Sequence, residues 1–117
     1  MLRYTTLLLL LLLLACASAG PRCDASDHEI HREQGHTFAR RFRPLGGLFV
    51  SQHEFETRVQ QITGLSAPCA SCFGETYSCT WSHCKMACAF DGPSCETCRE
   101  RAGCALALER CVGVRIE

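Results

Sequence analysis

The stretch CASCFGETYSCTWSHCKMACAFDGPSCETCRERAGCALALERC, Cys69–Cys111, decides how this chain is built, because it carries nine of the 11 cysteines. Its apolar residues recur at helical spacing. Phe73, Tyr77, Trp81, Cys84 and Cys88 step by four, four, three and four along one seam, and Cys79, His83, Met86 and Phe90 make a second. The spacing predicts a helix over about Gly74–Phe90, sandwiched between neighbours because its seams lie ~200° apart. Asp91-Gly92-Pro93 ends it. Ser94 caps a second helix, about Cys95–Cys111, with Glu96 against the positive end of its dipole. Gly103 inside that helix weakens it by about 1 kcal/mol.

Four residues, Asp91–Ser94, join the two helices and so predict an antiparallel αα-hairpin. Residues that lie level in such a hairpin have nearly constant index sums. Cys84 with Cys98 and Cys88 with Cys95 meet this condition nearest the turn, at 182 and 183. Cys79 with Cys104 and Cys72 with Cys111 extend the ladder at 183, and Cys23 with Cys69 then ties down the N-terminal part. The outer rungs conflict with the two-seam geometry, since Cys79 faces away from Cys84. Either the helices kink, or those cysteines bond elsewhere.

Outward from this stretch, Ser51–Thr63 reads as a well-signed helix. Ser51 and Glu54 form a capping box, Val50 and Phe55 a hydrophobic staple, and Phe55, Val59 and Ile62 one apolar stripe. Gly64 suits the left-handed position after the last turn, and Pro68 stops anything further. Before it, residues 20–47 read as a flexible polar arm. Ser26-Asp27-His28-Glu29 opens a short helix to Gln34, Gly35 closes it, and Pro44-Leu45-Gly46-Gly47 breaks the chain again.

At the N-terminus, Arg3, the leucine run Leu7–Leu14 and Ala17-Ser18-Ala19 read as an export signal over residues 1–19. Eight leucines rise only ~12 Å as a helix, too short for a ~30 Å hydrocarbon core. Leu13-Leu14-Ala15-Cys16 also resembles a bacterial lipobox, which would make residues 1–15 the signal and Cys16 an acylated anchor. Cleavage after residue 19 leaves about 98 of 117 residues, too few for a large core. Cysteine at this density behind an export signal implies disulfide staples in an oxidising, extracellular setting. Twelve basic and 12 acidic residues cancel, so no global field attracts nucleic acid. The expected fold is a small all-α, disulfide-rich domain over residues 48–117, built on the hairpin.

No cofactor or metal is expected. Cys69-x2-Cys72 has the spacing of a redox CxxC, yet no strand precedes it as a thioredoxin-like site requires. The same pair with Cys95-x2-Cys98, and His83 as a substitute ligand, resembles zinc knuckles, but export favours oxidation over metal. His28, His31 and His36 beside Asp24 define no metal geometry. Arg40, Arg41 and Arg43 alternate with Phe38 and Phe42, which suits an anionic, partly apolar partner surface, and Arg40-Arg41 doubles as a dibasic processing site. Tyr77 and Trp81 read as core packing before they read as a ligand platform. The leading functional expectation is a secreted, non-catalytic interaction protein that binds a protein or an anionic surface. A structural subunit, lipid-anchored or lumenal, comes second, and a thiol–disulfide enzyme third.

Overall fold

Four of the helices begin or end on a residue the sequence supplies for that purpose. The computed structural model describes residues 2–18, 20–35, 38–89 and 93–114, and these are helical or irregular with no strand. The elements are α1 (Leu2–Ser18), α2 (Ala25–Gln34), a 3₁₀ helix (Ala39–Leu45), α3 (Gln52–Thr63), α4 (Ala67–His83), α5 (Pro93–Arg101) and α6 (Cys104–Val112). His36, Ala19, Phe90, Asp91, Gly92 and the Cys16 side chain lie outside the described residues. The leucines Leu7–Leu12 of α1 are exposed, and among the described residues every buried one lies between Cys23 and Val112. No described helix is long and apolar enough to cross a membrane.

The Ser51 cap and the left-handed Gly64 bound α3 as expected: Ser51 Oγ accepts from the Glu54 N–H at 3.1 Å, and Gly64 has φ 78°. Elsewhere the boundaries differ. The box that opens α2 pairs Asp24 with Asp27, two residues before the position read from the sequence. Pro68 does not stop the chain but sits in the first turn of α4, where a missing N–H costs nothing, behind the cap Ser66. That helix therefore starts earlier than the sequence reading and ends earlier, at His83, because Cys84 leaves the helical region at φ −127°. Pro93 rather than Ser94 begins the next helix. The long C-terminal helix is two helices, α5 and α6, broken at Gly103 with φ 79°.

These breaks reconcile the sulfur ladder with the helix faces. The structure joins Cys23–Cys69, Cys72–Cys111, Cys79–Cys104, Cys84–Cys98 and Cys88–Cys95. Cys72 and Cys79 lie seven residues apart on α4, and Cys104 and Cys111 lie seven apart on α6. Seven residues are about two turns, so each pair projects from one face and the two antiparallel helices are stitched twice. Cys84 and Cys88, beyond the end of α4, are free of that face and turn to α5.

The rest of the core sets aromatic rings among buried aliphatic residues such as Val59, Leu65, Leu108 and Val112. Phe38, Phe42 and Phe73 meet edge to face with centroids 4.9–5.6 Å apart, and Phe42 reaches Phe55 at 6.5 Å. Phe38 is 1 % exposed and Phe42 7 %. The segment read as a polar arm is therefore pinned at these positions by two rings, each worth roughly 1.5–3 kcal/mol on burial. Isolated apolar residues between arginines carry no periodicity, which is why the sequence hid this anchor.

Candidate interaction surface

The aromatic chain surfaces at one end. Phe55 of α3 and Tyr77 of α4 stack at 4.4 Å with planes 4° apart, and Trp81 follows edge-on, one turn along α4, at 6.2 Å. From this stack the Tyr77 hydroxyl reaches the segment before α3. It accepts from the Gly47 N–H at 3.2 Å and has two carbonyls to donate to, Gly47 at 2.7 Å and Val50 at 2.9 Å. Arg58 donates to the Leu45 carbonyl at 3.0 Å from the α3 side.

What these bonds hold is a tight turn. The Val50 N–H donates to the Gly47 carbonyl at 3.2 Å, so Leu48 and Phe49 are its corner residues. Corners ordinarily take glycine, proline, asparagine, aspartate or serine. Here they carry two large apolar side chains, 76 % and 97 % exposed. Single exposed apolar residues are common, but an adjacent pair on a latched turn is not.

Beside the turn lies a shallow groove of about 500 Å³, walled by Leu48, Ser78, Trp81, Ser82 and Lys85. Lys85 Nζ stands 5.8 Å from the Trp81 ring centre, within cation–π range. No carboxylate lines this groove among the described residues, and Met86, next along the chain, is exposed. A larger cleft of about 520 Å³ opens between α5 and the aromatic core, over Phe42, Phe73 and Tyr77. Its rim mixes Arg43 and Arg99 with Glu96, Glu100 and Glu109, so its charge selects no ligand class.

The residues singled out from the sequence fare unequally. Arg40, Arg41 and Arg43 face outward, whereas Phe38 and Phe42 face inward, so the alternation does not form one basic-aromatic surface. A 3₁₀ helix has three residues per turn and sends neighbours to different sides. Arg41 is moreover engaged, donating to the Ile62 carbonyl at 2.9 Å and to Gln34 Oε1 at 2.5 Å. Cys69 and Cys72 bond Cys23 and Cys111 rather than one another, and Cys95 and Cys98 bond Cys88 and Cys84. Neither the CxxC pair nor the knuckles keep a thiolate.

His28 Nε2–H donates to the Val112 carbonyl at 2.9 Å, and the His31 ring packs edge-on against Phe38 at 4.9 Å. Burial, then the neighbouring His28, lowers the His31 pKa below its usual value. Both histidines serve packing. The one acid–sulfur cluster with metal-like spacing among the described residues, Cys23, Asp27 and Cys69, has its sulfurs bonded to one another. What the sequence reading passed over is the Leu48–Phe49 corner. The signal available was Gly46-Gly47 followed by three apolar residues, Leu48, Phe49 and Val50, directly before the Ser51 cap.

The sequence matches no protein-family model, no curated protein and no solved structure.

Proposed function

We propose that the chain is a secreted, non-catalytic interaction protein whose contact surface is the Leu48–Phe49 turn with the Trp81–Lys85 groove beside it. The observation that carries this reading is the turn itself. Two exposed apolar side chains cost solubility, and the Tyr77 hydroxyl spends its hydrogen bonds holding them outward. A rigid apolar projection reduces the ordering cost of docking. The disulfide framework supports an oxidising compartment, and the leucine-rich segment over residues 1–19 supports export.

The test compares the exported protein with its Leu48→Ser/Phe49→Ser variant on a sizing column, each mixed with unfractionated extract of the source. The wild type elutes in a complex and the variant elutes free. Equal behaviour of the two overturns the reading. Alkylation of the folded, unreduced protein adds no mass; uptake of two or more alkyl groups would remove the fully stapled scaffold on which the turn is mounted.

A further inference from the structure

The corner turn and the groove beside it differ in chemistry and share one face. At the tip stand Leu48 and Phe49, with no polar side chain between them. Leu48 shares the groove with Trp81, a ring with one polar handle, and with Lys85, whose Nζ stands 5.8 Å from that ring. Ser78 and Ser82 share the groove with them, and no carboxylate does among the described residues. Apolar tip, indole, hydroxyls and ammonium meet on one face, and they are the groups that suit a bilayer's acyl chains, interface and phosphates.

We infer that this face seats on a phospholipid surface, with Leu48 and Phe49 entering the acyl region and Lys85, Ser78 and Ser82 meeting a lipid phosphate. The inference rests on the reading above and names its partner. Two features favour a bilayer over a protein pocket. The tip is convex, the corner of a four-residue turn, and a fluid layer closes around such a shape without a complementary cavity. The groove behind it carries a cation and no acid, which complements an anionic headgroup. Met86 adds a flexible apolar side chain at the same end of α4. Trp81 is the chain's one tryptophan, so its emission reports on this face alone.

The experiment titrates the disulfide-intact exported protein with phosphatidylcholine vesicles, with and without phosphatidylglycerol, and follows Trp81 emission and cosedimentation. Emission moves to shorter wavelength, brominated acyl chains quench it, and the anionic vesicles bind more tightly. Phe49→Ser, which alters a side chain 97 % exposed and so leaves the fold intact, weakens association about tenfold or more. Lys85→Glu weakens binding to the anionic vesicles about fivefold and leaves the neutral ones unchanged.

Inorganic phosphate at matched concentration does not shift the emission. If it does so by itself, the groove takes a free anion and the lipid assignment is overturned. Vesicle binding that survives Phe49→Ser overturns it too. Failure to bind vesicles, combined with a Phe49-dependent complex in extract, removes the lipid assignment while the interaction reading stands.

Discussion

Asp27 places one buried carboxylate against the first turns of two helices. It accepts the Asp24 N–H at 3.0 Å within α2, and it accepts both the Ser66 N–H at 2.8 Å and the Ser66 hydroxyl at 2.7 Å ahead of α4. Burial raises the proton affinity of Asp27, but the bonds from Ser66 and Asp24 outweigh it and hold the pKa below the usual 3.8. A group whose folded pKa is depressed contributes stability above its unfolded value and loses it as pH falls through the folded one. His31 obeys the same rule from 6.5 downward. Melting temperature should therefore be flat above pH 7, decline below about 6.5, and decline again in the carboxylate range. Asp27→Asn should shrink the second step, leaving the part due to Glu29 beside Arg32, and cost about 1–3 kcal/mol at pH 7. A melting curve equally steep in acid for this variant would show that another group controls the transition. Tyr77→Phe belongs to the same scale. It should cost about 1–2 kcal/mol, speed amide exchange at Gly47 and Val50, and weaken partner binding while leaving Phe49 in place. The partners that tie separate elements together lie far apart in sequence: Ser66 is 39 residues from Asp27, and Gly47 is 30 from Tyr77. Local capping rules could therefore find a box near Ser26 but not the carboxylate that joins two helices.

At the scale of elements, what was legible depended on whether the signal was local. Ser51, Glu54 and Gly64 define α3 by themselves, and the structure agrees there to a residue. The hairpin arithmetic gave four of the cysteine pairs that the structure joins, because index sums survive small errors in helix ends, and Cys23 with Cys69 was the pair left over. The ends themselves were misread where a tertiary bond decides them. Cys84 abandons α4 and bonds Cys98, and Gly103 divides one expected helix so that α5 and α6 can each meet their own partners. Gly103 carries a sharp expectation. Its φ of 79° penalises a β-carbon, yet beyond its own chain neighbours no atom lies within 4 Å of where that carbon would stand. Gly103→Ala should therefore cost about 1–2 kcal/mol through the backbone alone. It should either straighten the joint or strain the Cys79–Cys104 bridge, which is detectable as faster reduction of that disulfide. An unchanged stability would mean that the break is imposed by the sulfurs and not permitted by the glycine.

Across the whole molecule, staples and packing divide the labour by region. The N-terminal half of the core is held by Phe38, Phe42, Phe55 and Phe73, with Cys23–Cys69 bridging 46 residues across it. The α5 end is different: that helix buries no side chain and is fastened by Cys84–Cys98 and Cys88–Cys95. Composition announced that sulfur would replace a core, but not that the replacement is confined to one end, since that depends on which rings reach Phe73 and which do not. Serine replacement of both partners separates the two roles. Because a bridge acts largely by restricting the unfolded chain, the sequence separations of 46 and 7 make loss of Cys23–Cys69 about 1.7 kcal/mol more damaging than loss of Cys88–Cys95. Denaturant unfolding of the two double variants measures that difference directly. Hydrogen exchange then tests the regional claim. Without Cys88–Cys95 and Cys84–Cys98, amides of residues 93–101 should lose protection while those of α3 and the first turns of α4 keep theirs. Protection lost evenly along the chain would mean that α5 is part of a single cooperative unit, and that the aromatic core cannot hold the Leu48–Phe49 turn without it.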